Sequence, residues 1–240
     1  MRRDDALILM AKAPLPGQVK TRMFPVLGPR GASAFYSCLL ADVAGEAAGL
    51  GGGRRYLFYL PPAGRSHFLS DPFSRFQLRE QAGSDLGERM AGAMHGAFSD
   101  GARSVVVIGA DCPALSARRI RSAFRELSDG ADAVFGPAVD GGFYLVGLNT
   151  AVPSLFPGIE WSTRAVLQTI LSRCRRAGMT YALLPVEADV DTGEDLGALR
   201  VWLRSHAHPR CARTRKWLRS ATAQITCRAA RTSSGRRREE

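Results

Sequence analysis

With 240 residues, 45% of them hydrophobic and 23% charged, the chain has the make-up of a globular protein with room for one large domain or one domain plus an appendage. Its five cysteines are odd in number, widely spaced and free of any C-x-x-C pair, which argues against a disulfide framework or a zinc site and for a reducing, cytoplasmic setting. The net charge of +11 is concentrated at one end: Arg204 to Glu240 carries eleven Lys and Arg against two acids, leaving only +2 for the rest.

Ala6 to Ala11 reads as a buried first strand rather than a signal peptide, because charges precede it and Lys12 ends a short apolar run. No stretch approaches the roughly 18 apolar residues of a membrane span. Lys12 to Arg22 is a shaped loop, with φ fixed at Pro14 and Pro16 and left-handed backbone permitted at Gly17. Lys12, Lys20 and Arg22 make it cationic. Such a loop after a first strand is a good anion cradle, although a solvated basic loop would read the same. Phe35, Leu39 and Val43 recur every four residues, so Gly31 to Ala48 is a helix with one apolar face. Tyr56 to Leu60 is a second strand, and alternating aromatics between His67 and Leu78 suggest a third. Leu86, Met90 and Met94 mark a helix opened by Ser84 or Asp85. His95 within it has no partner at metal-ligand spacing and reads as structural.

Val105, Val106, Val107 and Ile108, β-branched and uninterrupted, read as a strand buried on both faces in the middle of a parallel sheet. That strand carries Gly109, Ala110 and Asp111 to its carboxyl end, where open α/β sheets bind ligands. Ser116 caps a helix bearing Ile120, Phe124 and Leu127. Asp132 to Phe135 is a strand that leads into Asp140-Gly141-Gly142. This triplet is either a hairpin turn or a place where backbone approaches a ligand closely. Ser162 is a natural cap for a helix bearing Val166, Ile170 and Cys174, and Tyr181 to Val186 is a late strand. Thr192 and Asp195 have the spacing of a capping box. Asp189 and Asp191 remain, facing one way if their segment is extended.

Two of these acids, Asp111 and Asp191, point to a chemistry. Hard cations take oxygen ligands, and magnesium takes one or two carboxylates plus substrate phosphates. Asp111 and Asp191 facing a cationic first loop make a diphosphate site. Mg²⁺ or Mn²⁺ would bridge phosphate oxygens, and Lys12, Lys20 and Arg22 would offset the remaining charge. The reaction is metal-assisted departure of a phosphate-bearing group. No Ser/His/Asp or Cys/His arrangement competes. Cys112 is a poor nucleophile, since a neighbouring anion raises a thiol's pKa.

Six motifs occur in order. They are Lys12-Ala13-Pro14 with Pro16-Gly17 and Lys20-Thr21-Arg22; Asp85-Leu86-Gly87-Glu88-Arg89-Met90; Gly109-Ala110-Asp111-Cys112-Pro113; Gly136-Pro137 with Asp140-Gly141-Gly142-Phe143-Tyr144; Trp161-Ser162-Thr163; and Asp189-Val190-Asp191-Thr192 with Glu194-Asp195-Leu196. In these the chain, over roughly residues 6 to 203, resembles the DUF2064 family of glycosyltransferase-A-like proteins, also called selenodomain-associated transferase 1. The resemblance implies a GT-A-like three-layer α/β/α sandwich with a mostly parallel central sheet, as in nucleotide-diphospho-sugar transferases. It also implies a nucleotide donor bound through Lys12, Pro14, Gly17, Lys20, Thr21 and Arg22, with Asp85, Gly141 and Gly142, and a divalent metal on Asp111 and Asp191. Familiar glycosyltransferases carry Asp-x-Asp where this chain has Asp111-Cys112-Pro113. Asp-x-Pro is closer to the nucleotidylyltransferases of the same superfamily.

Three functions follow as expectations. The first is sugar transfer from a nucleotide sugar to a small-molecule acceptor, with Asp111 catalytic and Asp140 a candidate base. The second is nucleotidyl transfer from a nucleoside triphosphate to a small phosphorylated acid or sugar. The third is polyanion binding through a basic tail. The expected organisation is a nucleotide-binding domain over 1–203 and a disordered extension over 204–240, in which Trp217 could stack and Arg236-Arg237-Arg238 supply charge.

Overall fold

In the computed structural model, which describes residues 1–205 and 211–220, the apolar runs become one sheet. Its strands are β1 (Asp5–Lys12), β2 (Arg54–Leu60), β3 (Gln77–Glu80), β4 (Ser104–Ile108), β5 (Ala133–Pro137), β6 (Phe143–Leu148) and β7 (Tyr181–Leu183). Their order is β3-β2-β1-β4-β6-β5-β7, and only β6 runs against its neighbours. The helices are α1 (Phe24–Ala48), α2 (Leu86–Ser99), α3 (Ala117–Ser128), α4 (Val166–Arg176) and α5 (Gly193–Ser205), followed by α6 over 212–220.

Strand alternation sorts the core into two faces. Leu7, Leu9, Val106 and Ile108 pack with α1 and α3. Ala6, Ile8, Val105 and Val107 pack with α2 and α4. This is the expected α/β/α sandwich. β4 is buried along its whole length and lies fourth of seven. It is flanked by parallel β1 on one side and antiparallel β6 on the other, so it marks the edge of the parallel region rather than its middle. β1 leads through α1 to β2 on one side, while β4 pairs on the other. The carboxyl ends of β1 and β4 therefore border a topological switch point, where such sheets leave a crevice.

Several local readings change. α1 begins before Gly31, and Gly28 (φ +64°) breaks it into two helical pieces at the Gly28-Pro29 junction. Phe68, Phe73 and Phe76 do not form a strand. They are buried from 3₁₀ turns, and β3 follows them at Gln77–Glu80. Ser162 caps nothing. α4 starts at Val166 without a side-chain cap, and Ser162 sits at φ +67° in the preceding loop.

The expected break at 203/204 is crossed by α5, which runs to Ser205, and residues 211–220 of the expected solvated extension are folded. Buried Asp42 on α1 accepts from the backbone N–H groups of Arg213 (3.1 Å) and Thr214 (2.8 Å), capping α6. Cys211 and Leu218 join Phe35, Leu39, Leu196 and Leu199 in a third cluster behind α1. Trp217 packs on Phe35 with ring centroids 5.5 Å apart, so it is not free to stack on a base. Arg236-Arg237-Arg238 lie outside the described residues. No helix among the described residues is long and apolar enough to cross a membrane.

Candidate active site

A cleft of about 590 Å³ opens at the switch point, lined by the ends of β1 and β4, the first loop, the start of α2 and Ser162. Backbone geometry builds its floor. The carbonyl of Asp111 accepts from the N–H of Val190 at 3.0 Å, which ties the end of β4 to the acidic segment after β7. That segment is itself aligned by the parallel bridge between Ala138 and Glu187. Thr192 and Asp195 then cap α5 reciprocally. Asp195 N–H donates to Thr192 Oγ1 (3.2 Å), and the Asp195 carboxylate accepts from the N–H groups of Thr192 (2.8 Å) and Asp191 (3.0 Å). The box fixes the turn that presents Asp191 to the cleft.

Asp111 and Asp191 meet on one cation, the ammonium of Lys20. Its Nζ is 2.5 Å from Asp191 Oδ1 and forms a shorter ion pair with Asp111 Oδ1. The Lys20 side chain is 4% exposed, whereas those of Asp111 and Asp191 are 45% and 44% exposed. Burial alone would lower the lysine's pKa, but Asp111 and then Asp191 outweigh it and hold the ammonium above its ordinary value. Lys20 sits in left-handed backbone (φ +50°, ψ +44°), a conformation that costs a non-glycine residue roughly 1–2 kcal/mol. The Tyr36 ring lies 6.0 Å from its Nζ, and the Tyr36 hydroxyl accepts from the Lys12 N–H at 3.1 Å.

Asp189 is more confined. Its Oδ1 is buried with no hydrogen-bond partner among the described residues. Burial first, then the charges of Asp111, Asp140 and Asp191, push its carboxyl up to about 7. Asp140 is exposed, and its Oδ1 accepts from Gly142 N–H at 2.9 Å within its turn. No trio of His, Cys, Asp or Glu side chains among the described residues is arranged to hold a metal.

Further cations of the cleft lining are Lys12 and Arg22, and Arg89, which sequence reasoning did not assign. Arg89 Nε and Nη2 donate to the carbonyls of Gly83 (3.0 Å) and Ser84 (3.3 Å). None of the three has an ion-pair partner among the described residues. Thr21 also lines the cleft. Gln81 was missed as well. Its Nε2 donates to the carbonyls of Ala11 and Phe58, both at 2.9 Å, which uses both amide hydrogens and leaves Oε1 as an acceptor on a cleft-lining side chain.

Other expected site residues play supporting roles and do not line the cleft. The Pro14 carbonyl accepts from Ser33 Oγ, and Gly17 turns the exposed loop at φ +87°. Asp85 caps α2 by accepting from Glu88 N–H at 2.8 Å. Gly141 (φ +92°) is required because a Cβ there would collide with the Arg164 backbone, and its carbonyl receives Leu167 N–H at 3.0 Å. Gly141 and Gly142 thus pack a turn against the loop entering α4. Cys112 is 1% exposed. Burial chiefly, with Asp189 and Glu187 adding to it, pushes its thiol far up, so it is no nucleophile.

Comparison with known proteins agrees with this architecture. The sequence pattern of the family described as "Uncharacterized protein conserved in bacteria (DUF2064)" matches residues 43–163. No curated protein matches. The crystal structure of a protein from Desulfovibrio desulfuricans G20, provisionally named a nucleotide-diphospho-sugar transferase, is 33% identical. It covers 94% of this chain and 98% of its own, with a TM-score of 0.85. At the level of fold alone, the inositol-1-phosphate CTP transferase of T. maritima is similar (14% identity, 85% and 96% coverage, TM-score 0.53). So is a 4-diphosphocytidyl-2C-methyl-D-erythritol synthase (9%, 85% and 100%, 0.54).

Proposed function

From the premise that this chain belongs to the DUF2064 family, we propose that it is a metal-dependent transferase whose donor is a nucleotide-diphosphate sugar. The protein is an enzyme of the transferase class, built like the nucleotide-diphospho-sugar transferases. The observation that carries the finer reading is the convergence of Asp111 and Asp191 on a single positive charge beside a cleft with three cations that have no ion-pair partner among the described residues.

A divalent cation suits the residues present. Two carboxylates with shared access to one point are the protein ligands that Mg²⁺ or Mn²⁺ takes when phosphates complete its shell. The partnerless Oδ1 of Asp189 and its raised pKa mark a pocket short of positive charge. Bound there, the cation would offset the charge that collects on a departing diphosphate. The rest falls to the chain's own groups. Lys12 and Arg22 meet the donor phosphates from the first loop. Gln81 Oε1, held in one orientation, accepts from a hydrogen-bond donor on the nucleobase edge. Tyr36, buried against the Lys12 N–H, stiffens the loop from beneath. Asp140, occupied in its turn and away from the cleft lining, is given no proton-transfer role.

Nucleotidyl transfer is the second reading. Pro113 stands where the second acid of an Asp-x-Asp pair would follow Asp111, so the loop offers one carboxylate and the other comes from Asp191. One experiment separates the two. The protein is incubated with a panel of nucleotide sugars and nucleoside triphosphates, with Mg²⁺ or Mn²⁺, and followed by thermal shift, donor hydrolysis and pyrophosphate release. A metal-dependent shift and slow hydrolysis with a nucleotide sugar support sugar transfer. Pyrophosphate release from a triphosphate alone selects nucleotidyl transfer. Silence across the panel refutes both.

A further inference from the structure

Lys20 occupies the point that a shared divalent cation needs. Its Nζ contacts one oxygen of Asp111 and one of Asp191, and an ammonium and a divalent ion cannot both occupy the point between those two oxygens. We propose that Lys20 is a built-in stand-in for the metal: it neutralises the aspartates until a divalent cation enters, then leaves them and turns to the donor's phosphates. This rests on the metal site proposed above and adds an order of events to it.

Three features support the exchange. First, the ammonium is buried while its two partners are each nearly half exposed, so a cation can approach the carboxylates from the cleft without first unpacking the lysine. Second, Lys20 belongs to the first loop, next to cleft-lining Thr21 and Arg22. A modest swing of its flexible stem carries the charge from the acids toward the diphosphate position. Third, the strained left-handed backbone at Lys20 is a conformation that persists only where surroundings over-determine it, and the two ion pairs are such surroundings. The consequence is linkage. Metal entry frees a phosphate-binding cation, and phosphate draws off the metal's competitor, so each raises the other's affinity by the same factor.

The chain's three lysines, Lys12, Lys20 and Lys216, make the exchange measurable. Lys216 is exposed and does not line the cleft, and it serves as the internal standard for amine acetylation read by mass spectrometry. In chelator, Lys20 should be protected. At saturating Mn²⁺, with binding followed by the free-ion paramagnetic resonance signal, its labelling should rise at least tenfold while that of Lys216 stays constant. Lys20→Met should bind Mn²⁺ at least tenfold more tightly than wild type, with no nucleotide present. Bound Mn²⁺ with Lys20 still protected, or a variant that binds Mn²⁺ no better than wild type, overturns the exchange and leaves the transferase reading standing. If neither protein binds Mn²⁺, the metal site itself is wrong and both readings fall.

Discussion

Replacing Asp189 with asparagine should flatten the dependence of stability on pH. The Asp189 carboxyl is raised from an ordinary 3.8 to about 7, by burial and then by the charges of Asp111, Asp140 and Asp191. The sign follows from proton counting. Between those two values the folded protein holds a proton that the unfolded chain has released. The stability this contributes is therefore fully present below about pH 4 and is lost as pH rises through about 7. A difference of about three units corresponds to on the order of 4 kcal/mol, an upper figure because neighbouring acids titrate together. Asparagine keeps the shape and cannot ionise. In urea unfolding with chelator present, the variant's stability relative to wild type should rise by a few kcal/mol between pH 4 and pH 8. Mg²⁺ should shrink the wild-type slope by neutralising the neighbouring carboxylates. Parallel pH profiles for the two proteins would refute the account of Asp189 as a charge trapped in a cation-deficient pocket.

Other predictions test the frame around the site. Asp42→Ala removes the acceptor of two backbone N–H groups at the start of α6; leaving them unsatisfied should cost about 2–4 kcal/mol in urea unfolding. Asp111→Asn and Asp191→Asn should each abolish a Mn²⁺-dependent thermal shift with far-ultraviolet circular dichroism unchanged. Gln81→Glu sets an oxygen against the carbonyls of Ala11 and Phe58 in place of the amide nitrogen. It should weaken nucleotide binding about tenfold or more, read by the nucleotide-induced thermal shift, without altering the Mn²⁺ response.

Much of this was legible in the sequence because it is local or periodic. The β-branched run of β4 announces burial, and buried strands in such folds end at ligands, so Asp111 could be picked out directly. Thr192 and Asp195 show their capping role in their spacing, and by elimination that exposes Asp191. Long-range pairings leave no such trace. Nothing in Lys20-Thr21-Arg22 distinguishes the lysine that turns inward from the arginine that stays in the cleft; that depends on a left-handed residue and on acids more than ninety positions away. Gln81 is identified only once β1 and β2 lie side by side and offer it two carbonyls. α6 was hidden by composition. Its arginines suggest a solvated tail, yet Cys211, Thr214 and Leu218 recur at three- and four-residue steps, a faint apolar stripe that the charge count obscured. Ser162 and Gly141 show the opposite error, in which a residue type has a common local use and the fold assigns another.

The charges of the cleft also say what kind of ligand can fill it. Among its acids, Asp111 and Asp191 share one ammonium, and Asp140 adds its field to theirs at the Asp189 carboxyl. Among its cations, Lys12, Arg22 and Arg89 have no acidic partner among the described residues. A polyanion alone would satisfy the arginines but meet the field of the acids. A divalent cation alone would satisfy the acids but release Lys20 beside other positive charges. A metal-complexed diphosphate would answer both sets at once, with Asp111 and Asp191 to hold its cation and Lys12, Arg22, Arg89 and Lys20 to meet its oxygens. Acids and unmatched cations together in one crevice thus support the proposed diphosphate donor more strongly than either set would alone.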